Sequence, residues 1–287
     1  MQIKGVLIPI GGNEDKGIET KERYHLEFIE EGILARVAKE CGGCDTSIAV
    51  IPTASSIPKE VSDNYMRAFD RLGCTNVNIV DIREQQDSED RRNIATIEQA
   101  DCVMFSGGSQ SKIVQKIGGS TIHNILLDRY KNEKIVIAGT SAGAMCMSKE
   151  MISGGSGKEA FIKGAVRMRQ GMGFIPNLVI DSHFIRRGRF GRLAEAIARF
   201  PELLGVGLAE DTGLVIKNCN TFEVIGSGMV ILFDAGEIRH NNERLMSKGR
   251  PMSISNLKTH ILANGDRFNI QKRKLKVTPS DKAFIVG

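Results

Sequence analysis

The chain has 287 residues, with 39 Lys plus Arg against 34 Asp plus Glu, a net charge of +5, and no tryptophan. So modest an excess excludes the concentrated basic stripe of a nucleic-acid-binding protein, and 41% hydrophobic with 25% charged residues excludes a mainly disordered chain. No window approaches about 18 uninterrupted apolar residues, which excludes a membrane-spanning helix; the N-terminus runs straight into an apolar strand without the regions of a signal peptide, so a cytoplasmic location is expected.

In chain order, a buried strand is expected at 5–10, ending in Gly11-Gly12. A helix over 26–39 follows, with Phe28, Ile33, Leu34 and Val37 on one face. Cys41-Gly-Gly-Cys44 comes next. A redox pair of this pattern belongs at a helix N-terminus, where the thiol pKa is lowered; here the glycines read better as a helix stop. With no second C-x-x-C and no H-x-x-x-H, a structural zinc is not supported either. A strand at 47–51 leads to a helix opened by Pro58 and stopped by Gly73. Strands at 77–82, 102–105 and 135–138 continue the set, separated by helical patterns at 91–100 and 111–130. Strands alternating with amphipathic helices are the mark of βαβ units and a mostly parallel sheet. From about residue 205 the strands come closely spaced, at 205–208, 213–216, 221–225, 230–234, 252–257 and 259–262. With no linker before them, they are expected as an antiparallel extension of one α/β domain over 1–287.

The strand at 135–138 runs into Gly139-Thr-Ser-Ala-Gly-Ala144, a G-x-S-x-G string between a strand and a helix. A sharp turn there needs small neighbours, lifts Ser141 Oγ clear of the sheet and aims the N–H groups of the new helix at any oxyanion formed. An incidental serine in a tight glycine turn is the plain alternative. Of five histidines, His183 in Leu178-Val-Ile-Asp-Ser-His-Phe184 stands just past an apolar run, at a strand end, where open α/β sheets carry their ligand-facing residues. Behind it lie four arginines in Arg186-Arg-Gly-Arg-Phe-Gly-Arg192. Guanidinium forks suit carboxylates, so an acidic substrate is indicated; single-stranded nucleic acid is disfavoured because only three tyrosines and no tryptophan offer stacking. Gly154-Gly-Ser-Gly-Lys158 fails the phosphate-loop pattern at Ile152 and Glu159. Gly107-Gly-Ser-Gln110, past the strand at 102–105, offers either an anion nest or a plain turn.

The strings Gly107-Gly-Ser-Gln110, Gly139-Thr-Ser-Ala-Gly-Ala144, Asp181-Ser-His-Phe184 with Arg187, Arg189 and Arg192, and Gly207-Leu-Ala-Glu-Asp-Thr212 resemble, in order and approximate spacing, the cyanophycinase family of serine peptidases. That resemblance covers about residues 1–235. It implies a three-layer α/β sandwich related to class I glutamine amidotransferase-like folds, which use a cysteine in the same elbow. It implies Ser141 as nucleophile, His183 as general base, and Glu159 as the orienting acid, with Glu210 and Asp211 as rivals. Gly108 and Ala142 would supply the oxyanion hole, and Gln110, Asp181, Ser182, Arg187, Arg189 and Arg192 the substrate pocket. In charge terms Asp181 would pair with a substrate guanidinium while the arginines hold carboxylates. Ser182 departs from the family's usual glutamine, and Ala209-Glu-Asp211 from its usual Gly-x-Asp-Glu. The implied substrate is cyanophycin or another aspartyl peptide. A dipeptidase of the same fold and a non-catalytic binding protein are the alternatives. No metal or organic cofactor is expected, since all the chemistry uses protein groups. A homodimer is expected, and neither a nucleic-acid nor a membrane partner.

Overall fold

The computed structural model of the protein describes residues 2–17, 24–155, 161–278 and 285–286. Five apolar runs build the parallel half of a nine-stranded sheet. Their spatial order is Val6–Ile10, Val136–Thr140, Cys102–Phe105, Ile48–Ile51 and Val77–Ile79, each parallel to the next. On the other side of Val6–Ile10 the pairing becomes antiparallel, through Thr212–Lys217, Thr221–Gly226, Arg267–Asn269 and Lys274–Lys276. The expectation of a mostly parallel sheet therefore holds for one half, and the sheet is mixed. Short turns cannot return a chain parallel to itself, so the closely spaced late strands pair antiparallel.

The late strands also divide between two sheets rather than forming one extension. Leu204–Leu208, Val230–Asp234 and Lys258–Leu262 join Leu178–Asp181 in a second, four-stranded sheet. Of the strand expected at 252–257, only Ile254–Ser255 pairs, with His240–Asn241.

Side chains alternate across each strand and so sort the core into layers. In Ile48–Ile51, Ile48 and Val50 pack with Leu34 and Val37 of helix Ile33–Cys41 and with Phe69 of helix Pro58–Arg71. Ala49 and Ile51 join the opposite core, with Ile97 of Arg91–Gln99, Ile113 of Gln110–Ile117 and Leu126 of Thr121–Asn132. The second sheet contributes Ile180, Val206 and Leu232 to that same core. Its far face, through Val179, Ile231 and Phe233, is covered by Leu193 and Ile197 of helix Phe190–Arg199.

The helical pattern at 111–130 is two helices. Gly118 and Gly119 break it, and Ser120 caps the second helix by accepting the His123 N–H at 3.2 Å. The helix expected at 26–39 begins at Ile33 and ends in the left-handed Gly42, with Gly43 N–H donating to the Ala38 carbonyl at 3.0 Å. Cys41–Cys44 is thus the C-cap loop, and the Cys44 thiol donates to the Leu72 carbonyl at 3.0 Å. Among the described residues no helix is long and apolar enough to cross a membrane.

Candidate active site

The parallel strands end together at Ile10, Ile51, Phe105 and Thr140, the edge at which open α/β sheets bind ligands. Strand Val136–Thr140 is buried throughout and passes directly into the short helix Ala142–Met145. Ser141, between them, takes φ 52° and ψ −104°. A non-glycine residue costs about 1–3 kcal/mol in such a conformation and persists only where its surroundings impose it. Two backbone bonds impose it: Ser141 N–H donates to the Ile10 carbonyl at 2.8 Å, and its carbonyl accepts the Met145 N–H at 3.0 Å. The glycine at 143 is required by close approach, because a Cβ there would lie 2.5 Å from the Phe105 carbonyl oxygen.

His183 follows the second-sheet strand Leu178–Asp181 and is also held at positive φ, 48°. Its N–H donates to the Gly11 carbonyl at 2.9 Å. Ser141 and His183 therefore hang on consecutive carbonyls of the first strand end, Ile10 and Gly11. The imidazole lies over Gly12, where a Cβ would fall 2.4 Å from the ring. Imidazole Nδ1 is 3.0 Å from Glu210 Oε1, with both residues buried. That contact leaves Nε2 as the nitrogen free to exchange a proton. Burial pulls the His183 pKa down, Glu210 pulls it up, and the charges of Arg187 and Arg189 press it down again; the balance lies below the ordinary histidine value. The ring is therefore neutral at neutral pH, as a general base must be.

Glu159, the acid expected beside the imidazole, lies outside the described residues, and Nδ1 is taken by Glu210. Asp211 is turned elsewhere: its carboxylate accepts from Ser227 Oγ at 2.6 Å and from the Asp15 N–H at 3.1 Å. Among the described residues, the partner of Ser141 Oγ is Ser182 Oγ at 3.5 Å rather than the imidazole. Catalytic hydrogen bonds are often long before substrate arrives.

Gly107 and Gly108 pass beside the elbow, a Cβ at Gly107 falling 3.5 Å from Ser141 Cβ. Ala142 opens the helix, so its N–H has no partner one turn earlier. A first-turn N–H beside the nucleophile is the kind of donor an oxyanion hole needs.

Several expected pocket residues prove to be internal. Asp181 is wholly buried and cannot meet a substrate guanidinium. Arg192, itself buried, grips both carboxylate oxygens, with Nε 2.6 Å from Oδ2 and a second, shorter bond to Oδ1. Arg189 adds a third bond at 3.1 Å and the Ser182 N–H a fourth at 2.9 Å. The arginines expected to hold substrate carboxylates are thus committed to a carboxylate of their own in the case of Arg192, and partly so in that of Arg189. Burial and the neighbouring Arg192 and Arg187 push the Arg189 pKa down to about 10, against the pull of Asp181. Ser182 is buried with its hydroxyl between Ser141 Oγ and Met145 Sδ, so it touches the nucleophile rather than an open pocket. Gln110 is half-buried, its amide donating to the Ile152 carbonyl at 2.8 Å. Arg187 is exposed one turn from His183. His123 accepts the Gly119 N–H at 2.9 Å and faces the Met172 carbonyl at 2.8 Å, a structural role.

One functional segment was not singled out in the sequence. Gly11-Gly12-Asn13-Glu14-Asp15-Lys16 reads there only as the end of a strand, yet it touches the base His183, Thr140 before the nucleophile and Asp211 beside the acid. Besides the contacts above, Gly12 accepts the Asp211 N–H at 2.9 Å, and Glu14 accepts from the hydroxyl of Thr140 at 2.5 Å. The available signal was its place at the ligand-facing end of the first strand.

A serine on a strained strand-to-helix turn, with a buried carboxylate–histidine pair beside it, defines a serine hydrolase on an α/β scaffold. The chain belongs to peptidase family S51, which it matches over residues 20–224, and it is a serine peptidase. It is 34% identical over 270 residues to the cyanophycinase of Trichormus variabilis (strain ATCC 29413 / PCC 7937), covering 94% of this chain and 87% of that one. With the cyanophycinase of Geminocystis herdmanii (strain PCC 6308) it shares 33% over 267 residues, covering 93% and 94%. The resemblance read from the four motifs is borne out. Among solved structures, a peptidase from an acI-B1 Actinobacterium superposes with a TM-score of 0.61 at 17% identity, covering 90% of this chain and 98% of that one, a likeness of fold.

Proposed function

We propose that this peptidase hydrolyses the aspartate backbone of cyanophycin, releasing β-Asp-Arg dipeptides through an acyl-serine intermediate. Ser141 Oγ attacks the backbone carbonyl carbon as His183 Nε2 takes its proton. The N–H groups of Gly108 and Ala142 receive the negative oxygen. Collapse breaks the C–N bond, and His183 returns the proton to the leaving amine. Water, deprotonated by the same imidazole, then releases the acyl group. Glu210 keeps the second imidazole nitrogen protonated and balances the imidazolium that forms. Arg187, exposed beside the base, is the arginine positioned to meet a substrate carboxylate, with Gln110 and Arg189 at the pocket's inner side. The scaffold on this reading is class I glutamine amidotransferase-like, and the enzyme works as a cytoplasmic homodimer.

The observation that carries the proposal is the 3.0 Å pairing of His183 with Glu210 beside a serine held at φ 52°. The cyanophycinase relatives support the choice of substrate. The test is incubation of the purified protein with cyanophycin, products being read by mass spectrometry. β-Asp-Arg from the wild type and none from Ser141→Ala is the expected result. Intact cyanophycin after incubation with the wild type, or equal turnover by Ser141→Ala, overturns it.

A further inference from the structure

Glu14 is a carboxylate with almost no exposure, enclosed by three donors: Tyr65 Oη at 2.5 Å, Thr140 Oγ1 at 2.5 Å and Lys16 Nζ at 2.9 Å. Burial alone would favour its neutral form. The Lys16 charge and the hydrogen bonds from Thr140, Tyr65 and Lys16 outweigh that, and hold the carboxyl below the usual carboxylate range. A fully charged group is therefore kept inside the protein, 126 residues along the chain from the one threonine that precedes the nucleophile. Lys16 also lies over the Tyr65 ring, 5.1 Å from its centroid.

Charge-assisted hydrogen bonds are short and about twice as strong as neutral ones. This one is fastened where the backbone is under strain. The peptide between Thr140 and Ser141 is gripped from both sides by one segment: Ile10 accepts the Ser141 N–H, and Glu14, four residues on, accepts the Thr140 hydroxyl. The same segment fixes the base through the Gly11 carbonyl and the ring contact at Gly12. It fixes the acid's neighbour through the Gly12 carbonyl and the Asp15 N–H, both bonded to Asp211. Nucleophile, base and the residue beside the acid come from three distant parts of the chain and share this one template.

We infer that Glu14, acting through the Thr140 hydroxyl, is a positioning residue that holds Ser141 in its reactive geometry. The inference rests on the reading of Ser141 as nucleophile. Without the Glu14–Thr140 bond, only the two backbone bonds of Ser141, to Ile10 and from Met145, oppose relaxation of φ towards negative values. Such a relaxation would swing Oγ away from the base, and misplacement of about 1 Å costs roughly a hundredfold in rate.

The test measures inactivation by a fluorophosphonate, with Ser141 confirmed as the labelled residue by mass spectrometry. That readout does not depend on which peptide the enzyme cleaves. Thr140→Val keeps the shape of the side chain and removes its hydroxyl, whereas Thr140→Ser keeps the hydroxyl and removes the methyl group. Expected are a fall in the maximal inactivation rate of about tenfold to a hundredfold for Thr140→Val and for Glu14→Gln, with reagent affinity within about threefold, and recovery of most of the rate in Thr140→Ser. Phe268→Ala, a core change in the antiparallel half of the sheet, serves as a control that lowers Tm without lowering the inactivation rate. A wild-type rate in Thr140→Val, or an equal fall in Thr140→Ser, overturns the positioning role and leaves the nucleophile standing. If the wild type itself is not labelled at Ser141, the nucleophile reading fails and the positioning role with it. Should Glu14→Gln not fold, the two Thr140 variants decide the matter.

Discussion

Glu210 Oε1 lies 3.0 Å from His183 Nδ1, with each residue 8% exposed, so the pair meets in a poorly solvated setting where a fixed carboxylate acts strongly on an imidazole. Glu210→Gln keeps the volume and removes the charge that balances an imidazolium. It should lower kcat on the proposed substrate, cyanophycin, by about a hundredfold to ten-thousandfold with little change in KM, as loss of the triad carboxylate does elsewhere. Glu159→Gln should stay within about threefold of wild type. A reversed ranking of the two variants in steady-state kinetics would return the orienting role to Glu159.

A second expectation concerns pH. Burial is the largest influence on His183 and lowers its pKa, Glu210 raises it, and Arg187 and Arg189 lower it, with a net value below the ordinary one. The base is active when neutral, so the acid limb of the rate profile should have its midpoint below about 6.5. Arg187→Ala removes a cation that opposes the imidazolium. The imidazolium becomes easier to form, and the midpoint should move up. Because Arg187 is also proposed to meet the substrate, the profile is best taken from Ser141 labelling by a small phosphonate. A downward shift, or none, would show that Arg187 does not act on the base.

Asp211 offers a stability measurement with a definite sign. Its carboxyl is pushed up to about 6, chiefly by burial; the Ser227 hydroxyl and the Asp15 N–H oppose the rise, and the charges of Asp15 and Glu14 add to it. In the unfolded chain the value is about 3.9. Between these two values the folded state binds more protons than the unfolded state, so stability falls as pH rises through roughly 4 to 6 and stays reduced above. Asp211→Asn removes the ionisation, and asparagine tolerates the positive φ of 43° at this position. Relative to wild type, the variant should gain about 2 kcal/mol between pH 4 and pH 7 in denaturant midpoints. A gain independent of pH would mean that the carboxylate is already charged throughout that range.

The parallel strands and the serine turn were legible because each is written locally. Val136–Thr140 is apolar and β-rich, and the small residues at 139, 142 and 143 announce a close approach that only small side chains permit. The identity of the acid was not written locally. Glu159, Glu210 and Asp211 are equivalent as letters, and only the turn after Leu204–Leu208 brings Glu210 to the imidazole while directing Asp211 at Ser227. Asp181 misled for the reverse reason. An aspartate beside arginines reads as a recognition group until burial shows it to be their counter-ion. The same arginine run hid helix Phe190–Arg199, whose buried Leu193, Ala194, Ala196 and Ile197 carry the helical spacing between the charges. Glu14 was silent because its partners Tyr65 and Thr140 are 51 and 126 residues away.

The arginines at 187 and 192 should differ sharply although they sit five residues apart in one run. Arg192 is 5% exposed and binds both oxygens of the fully buried Asp181, while its other guanidinium nitrogen donates to the Gly155 carbonyl at 3.1 Å. Truncation to alanine leaves Asp181 with Arg189 and one backbone N–H, an undercompensated charge in a dry site. Breaking a buried pair by removing one partner costs about 3–5 kcal/mol. At roughly 2 °C or more per kcal/mol for a domain of this size class, Arg192→Ala should lose at least about 6 °C in Tm. Asp181→Asn should also destabilise, since it leaves the guanidinium buried without its counter-charge. Asp181→Leu/Arg192→Met removes both charges, and its loss should be well below the sum of the single changes, a coupling above about 1 kcal/mol in a double-mutant cycle. Arg187→Ala, at an exposed position, should stay within about 0.5 kcal/mol of wild type in stability and show its effect in substrate KM. Equal Tm losses for the 187 and 192 variants would mean that Asp181 is held from elsewhere, and the distinction between a substrate-facing and a structural arginine would fall.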